Sequence, residues 1–445
     1  MRTAYYPRCF AEISIVFDGR GAPNTEAFAI QTAPRSAQVQ LNGFNEADTF
    51  ELTYDARGYM FDPDLVASAA ARVYLQAADS IVDARPWATD ENLVLVGLAD
   101  DIRLELSSNG RYVHITGRDY TSLLLDVDWP PTERIPAGKA LDVVVQGMID
   151  RLVPASGPFA KPLTVEYRGT VTPPIVGALD RSAKRNGQHV RAEKSGFDAI
   201  YDLCLKYGFL CFVDRESFVI TEPSVETVEK LQNDAPLMVY GRNLASLMLE
   251  RRLARDRVPV IEVTSYDPRT RQRITAKWPP NAATEPRNAA GVQKEQVQRV
   301  TAPPGVTDQA TLLRFARTRS ENLARREASY SWDTRHLRAL SLNPSLPEGP
   351  SLLQLRAGDP VVVRFDPFNA EAARSLTPQQ IEQHLIALGY DRAVARVVAA
   401  NFDRLQQYQQ PYYTNTVDYA WDSEQGLAIS WMGANYAFVP RDEAR

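Results

Sequence analysis

Carboxylates, histidines, cysteines and a run of arginines are the residues here with chemistry to offer, and their spacing decides what each can do. Hydrolysis by two carboxylates needs an acid on one side of a bond and a base or nucleophile on the other. Asp100 with Asp101, Asp62 with Asp64, and Glu382 supply carboxyl groups, yet none lies in a motif that fixes such a pair. Adjacent acids in a strand, as Asp100 and Asp101 would be, point to opposite faces. His114, His189, His336 and His384 are far apart, with no H-E-x-x-H or other metal-ligand spacing. His114 alternates with Tyr112 in a strand pattern and reads as structural. Gly187, Gly196 and Gly208 form no loop that would cradle a phosphate. Catalytic residues, cofactor and metal are therefore all assigned as none.

The arginines offer charge recognition. Arg269, Arg271 and Arg273 alternate, which places three cations on one face near a hairpin tip, with Arg251, Arg252, Arg255 and Arg257 upstream. They could grip DNA or an acidic neighbouring surface. A solvated hairpin or a subunit contact is the preferred reading, because phosphate-gripping arginines would hold DNA that has to slide. The chain's formal net charge of −5 also disfavours non-specific nucleic-acid binding. Trp87, Trp129, Trp278, Trp332, Trp421 and Trp431 could stack on sugars, but they are dispersed and sit beside Pro or inside strands.

These side chains belong to a long chain with material for a sizeable core: 445 residues, 44% of them hydrophobic, which points to two or three domains. Cys9, Cys204 and Cys211 are odd in number and lack a C-x-x-C pair, as expected for a reducing compartment without a disulfide framework or zinc. No apolar run approaches the roughly 18 to 20 residues of a membrane span. Met1 to Phe17 lacks the pattern of a signal peptide. The expectation is a protein made and kept in a cytoplasm until something larger carries it out.

The elements that must position these residues change in blocks. Residues 1–107 carry short β-branched and aromatic runs at 11–17, 37–41, 49–54, 71–77, 93–96 and 103–106, separated by Gly, Pro, Asn and Asp. Phe50, Leu52 and Tyr54 alternate with Glu51, Thr53 and Asp55, as in a strand with one wet face. This acidic block reads as a small antiparallel barrel or sandwich. Residues 108–236 mix helix and strand. Leu141, Val144, Val145, Met148, Ile149 and Leu152 recur at helical spacing, and Ser195 with Asp198 makes a capping-box-like start to a helix that Gly208 stops. Runs 209–213 and 217–221 across Asp214-Arg215-Glu216 read as a hairpin.

Residues 237–445 return to strands, with a second hairpin about Asp267-Pro268-Arg269-Thr270 and a helix capped by Asp308 and running to 326. Further strands are expected at 337–342, 359–365, 415–420 and 427–432. Between the last two pairs lies a helical insert at about 368–410. Thr377 caps it, Pro378 takes the first helical position and Gln380 completes a capping box, while Asp391 starts a second helix. Ile381, Leu385 and Val394 of this insert join Arg269, Arg271 and Arg273 as candidate interface residues.

Gly117-Arg118-Asp119-Tyr120, the helix from Ser195 with its hairpin to Pro223, Tyr240-Gly241-Arg242-Asn243-Leu244, Ser265-Tyr266-Asp267-Pro268 and Leu355-Arg356-Ala357-Gly358-Asp359-Pro360-Val361 occur in an order that carries more than any one of them. In this order the chain resembles the hub proteins of phage tail baseplates, the late-control-D-like family that also forms the hub part of type VI spikes and contractile injection systems. The resemblance implies a β-rich α+β chain with two tail-tube-like antiparallel β-barrels, an α/β middle domain, and the helical insert in the second barrel. It implies a homotrimer whose six barrels join the sixfold tail tube to a threefold spike. Since the chain ends soon after its last strands, the spike or needle is expected to be a separate protein. Baseplate wedge and tape-measure proteins are further expected partners, within a virion tail or injection-particle baseplate assembled in the bacterial cytoplasm. The alternatives are a tail-associated cell-wall hydrolase or a glycan-binding β module.

Overall fold

The computed structural model describes residues 6–17, 28–43, 46–56, 63, 66–78, 86–108, 110–130, 135–153, 163–169, 172–177, 194–221, 235–239, 243–251, 260–267, 270–280, 297–302, 306, 308–324, 328–334, 337–339, 349, 351–364, 377–387, 389, 391–400 and 411–435. Seven strands come first: β1 (Tyr6–Phe17), β2 (Phe28–Thr32), β3 (Ser36–Leu41), β4 (Thr49–Asp55), β5 (Val66–Ala78), β6 (Leu93–Ser107) and β7 (Gly110–Asp119). Helices α1 (Thr121–Leu125), α2 (Leu141–Leu152) and α3 (Gly196–Lys206) follow, with strands β8 (Thr164–Arg168), β9 (Leu210–Asp214) and β10 (Ser217–Thr221). Next are β11 (Leu237–Val239), β12 (Ser246–Arg251), β13 (Val260–Asp267), β14 (Gln272–Trp278), β15 (Val297–Thr301), α4 (Gln309–Ala324) and β16 (Ala328–Thr334). The chain continues through β17 (Pro360–Arg364), α5 (Pro378–Ala387), α6 (Arg392–Ala400), β18 (Pro411–Asp422) and β19 (Gly426–Asn435).

Alternation dictates how the strands lie. Phe50, Leu52 and Tyr54 of β4 are buried while Glu51 and Asp55 face water. The runs expected at 93–96 and 103–106 are one strand, β6, whose pairing with β7 slips between Ala99 and Asp101. That bulge adds a residue at Asp100 and bends the strand, so the acids there do not keep a simple alternation. No strand spans 337–339, where Arg338 makes only an isolated bridge to Ser351. The strand lies upstream as β16, and Leu337 and Ala339 enter the core from the connecting segment instead.

Most strands form one 13-stranded sheet in the order β12-β16-β19-β18-β3-β4-β7-β6-β5-β1-β2, with β17 and β11 branching from β18. The pair β3·β18, with Val39 opposite Tyr419, joins the strands of the first 119 residues to those beyond 246. The sheet curls enough for Trp421 Nε1 to donate to the Pro7 carbonyl at 3.5 Å. It closes into no barrel among the described residues. Its core face holds Ile13, Leu52, Val73, Ile115, Val361, Tyr419, Ile429 and Trp431 in a single cluster. Each fully buried large apolar side chain there contributes about 1.5–3 kcal/mol.

A second core lies under α1, α2 and α3. The sheet β8-β10-β9 places Phe209, Cys211, Phe218 and Ile220 against Val145, Met148, Ile200 and Leu203. The sheet β14-β13-β15 and α4 add Ile261, Val263, Trp278, Leu312 and Phe315 to the same cluster. Residues beyond 237 thus serve both cores.

Candidate functional site

Two of the carboxylates with catalytic potential, Asp100 and Glu382, are engaged by arginines. Asp100 receives two hydrogen bonds from Arg118, 2.7 and 2.9 Å long, and Arg118 also reaches Asp126. Glu382 of α5 pairs with Arg396 of α6 at 3.4 Å. His114 bridges strands, its Nδ1 3.2 Å from Thr53 Oγ1 and its Nε2 3.2 Å from Glu105. His384 stands in the last turn of α5. Asp62, Asp64, His189, His336 and Arg269 lie outside the described residues. Among the described residues no three His, Cys, Asp or Glu side chains are grouped to hold a metal ion. Cys9, Cys204 and Cys211 are buried free thiols, and burial pushes Cys9 and Cys211 upward, away from the reactive thiolate.

Charge converges instead on Arg356, in the turn before β17. Its own N–H donates to Asp359 Oδ2 at 2.7 Å, and Gly358 supplies the left-handed residue of the turn at φ 96°. The guanidinium donates to the carbonyls of Leu353 and Leu355 and, at 2.9 Å, to that of Leu93 in β6. Its Nε faces Asp214 of β9 at 3.4 Å, an ion pair without hydrogen-bond alignment. Tyr419 of β18 donates its hydroxyl to the Leu352 and Leu355 carbonyls. One buried side chain therefore ties the large sheet, the β9–β10 hairpin and the segment entering β17 together. Arg72 of β5 adds an ion pair to Glu216 in the same hairpin. Burial pushes Asp359 up to about 6 despite Arg356 nearby.

A second polar joint surrounds the end of β7. Asp119 accepts from the Thr121 N–H and hydroxyl at 3.1 and 2.9 Å, and so fixes the turn from β7 into α1. Its N–H donates to the Asp48 carbonyl, while the Asn42 N–H donates to Asp48 Oδ1 at 2.6 Å. Burial raises both carboxyls, Asp119 to about 7, and the charge of Asp119 pushes Asp48 further up. Gly117 cannot be replaced without movement, because a Cβ there would lie 2.1 Å from the Leu98 carbonyl oxygen. Asn243 works similarly, accepting from the Val239 N–H and donating to the Leu237 carbonyl. Ser195 caps α3 through the Asp198 N–H at 3.0 Å.

These motifs position elements; none presents a reacting group to solvent. Arg271 occupies the β13–β14 turn with φ 57°, so it leaves the strand alternation, and Arg273 donates to Thr264 Oγ1 at 3.2 Å. Ile381 and Leu385 are buried with Ala395 and Ala399, where they hold α5 to α6. Val394 remains 49% exposed. Exposed Leu106, Met248 and Met432 on the large sheet were not singled out from sequence, although the spacing of Ile102, Leu104 and Leu106 carries the signal of an apolar strand face.

The order of elements and their whole-length course can be set against solved proteins. The tail protein from Neisseria meningitidis superposes with a TM-score of 0.56 at 10% identity, over 97% of this chain and 98% of that one. The 43 kDa tail protein of prophage MuSo2 from Shewanella oneidensis gives 0.53 at 11% identity, over 96% and 99%. The chain has the fold of these tail proteins. No protein-family model and no curated protein matches the sequence. At 10–11% identity the likeness is one of topology.

Proposed function

We propose that the chain is the structural hub of a tail baseplate, in a phage or a contractile injection particle. Three copies form a ring that joins a sixfold tail tube to a separate threefold spike, with the strand-rich blocks acting as two tube-like barrels per copy. The observation that carries this reading is the whole-length likeness to tail proteins. The use of the buried polar groups as joints between elements agrees with it, since a hub works by holding geometry.

The domains proposed are 1–107 and 237–445 as the tube-like units and 108–236 as the support between them. The protein acts without catalysis or cofactor. Its partners are its own copies, the tube protein and the spike, with wedge and tape-measure proteins at the periphery and bore. Arg271, Arg273 and Val394 are exposed positions for such contacts. A permanent interface of this kind buries about 2,000 Å² or more. Light scattering of the purified chain, alone and mixed with the tube and spike proteins of the same particle, tests the proposal. A species near three times 49.7 kDa that captures the spike is expected. A persistent monomer that captures neither protein but cleaves cell wall in a zymogram would overturn it.

A further inference from the structure

The sheet β14-β13-β15 buries one face and turns the other outward. Ile261, Val263, Ala276 and Trp278 belong to the second core with α4, so Glu262, Thr264 and Tyr266 alternate to the opposite side. Strand register sets that outer face in three rows. Lys277, Glu262 and Arg299 make the first, Thr275, Thr264 and Thr301 the second, and Arg273 with Tyr266 the third. Arg273, Thr275, Arg299, Thr301 and Tyr266 are exposed, Tyr266 by 58%.

Threonine is short and the side chains of both flanking rows are long, so the middle row is the floor of a shallow trough. Residues two apart along a strand stand about 6.8 Å apart, which sets the flanking rows about 13–14 Å from each other. An α-helix with its side chains is about 10–12 Å across, and three strands about 4.8 Å apart give the trough the length of about two helical turns. Its rims are cationic on an acidic protein. Arg273, with Arg271 in the adjoining turn, edges one side, while Lys277 and Arg299 edge the other about Glu262, the one acid in the three rows. Arg299 stands 3.8 Å from Glu262 with its side chain 76% exposed, whereas the whole chain carries −5. The Arg273 guanidinium donates to Thr264 Oγ1 and so leans over the floor. Asp267, at the end of β13, accepts from the Thr270 hydroxyl within the turn.

We infer that this trough docks an acidic α-helix of a different protein, laid across the strands over Thr275, Thr264 and Thr301. Carboxylates on both flanks of that helix meet Arg271 and Arg273 on one rim and Lys277 and Arg299 on the other, and small residues between them rest on the threonine methyls. Tyr266 and Arg273 stand side by side in register, and these are the residue types that anchor protein interfaces. Nucleic acid is the poorer occupant. Glu262 stands in the row that its phosphates would meet, and stacking of bases on a sheet draws on several aromatic faces where these rows hold Tyr266 alone. The inference goes beyond the hub reading, since it depends on neither a ring nor a trimer, and it gives Arg271 and Arg273 a partner of defined chemistry.

The full-length variant Tyr266→p-benzoylphenylalanine, made together with the proteins encoded beside it and irradiated, tests the docking, with the adduct peptide sequenced by mass spectrometry. The expected adduct is a peptide of another protein with Asp or Glu at helical spacing on both flanks. Adding Arg273→Glu is expected to lower the adduct yield about tenfold, as loss of an anchoring arginine does. Adding Glu262→Gln, which removes a charge like the partner's own, is expected to raise it about twofold. An adduct with this chain itself, with a peptide lacking acids or with nucleic acid overturns the inference, as does the absence of any adduct. A yield that falls with Glu262→Gln as it does with Arg273→Glu also overturns it, because the two substitutions would then act through the sheet and not through charge. A chain that gives the acidic-helix adduct but captures neither tube nor spike removes the hub reading and leaves this inference; a trimer that captures the spike without such an adduct does the reverse.

Discussion

Arg356 illustrates how a residue that looks functional can act through structure. A buried cation with three carbonyl partners and Asp214 opposite is held in place from the first sheet strands, the middle hairpin and the β17 turn at once. Removing one partner of such a pair leaves a charge stranded, so Arg356→Ala is expected to cost about 3–5 kcal/mol in denaturant unfolding. Arg356→Lys should recover only part of this, because a lysine cannot supply the forked donors. Asp119 gives a prediction of opposite sign to most carboxylates. Its folded value near 7 lies above the ordinary 3.8, so the folded state binds the extra proton between them and stability falls as pH rises from about 4 to 7. Asp119→Asn keeps an acceptor for Thr121 and should flatten that slope in pH-dependent melting. A slope unchanged by the substitution would mean that Asp119 is ionised throughout.

Among the elements, the α5–α6 hairpin separates packing from recognition. Leu385 is 1% exposed against Ala395 and Ala399, and Leu385→Ala should cost the hairpin about 2–5 kcal/mol, read as faster amide exchange across 378–400. Val394→Asp should change stability by less than about 0.5 kcal/mol while weakening any partner that docks there. Both helices were legible in the sequence because their signals are local: Thr377 with Gln380 caps one, Asp391 caps the other, and Gly389 ends the first at φ 90°. The β9–β10 and β13–β14 hairpins were legible for the same reason. What escaped were strands whose partners are distant, such as β8 beside β10, β15 beside β13, and above all β3 beside β18. A strand pattern states which face is apolar and leaves the neighbour unnamed, so the merging of the first and last strand blocks into one sheet had no local signature. The candidate site was partly legible in a different sense: Gly117-Arg118-Asp119 and Arg356 to Asp359 stood out, but only their burial reveals them as joints.

For the whole molecule, a hub must be stiff within each copy and specific between copies. Two continuous cores, with polar joints at Arg356 and Asp119 between elements, supply the stiffness. Electron cryomicroscopy of the native particle, with this chain located by a tag, tests the hub reading most directly. Three copies in a closed ring between the tail tube and the spike are expected. Six copies within the tube itself, or copies decorating the outside of the tail, would contradict it.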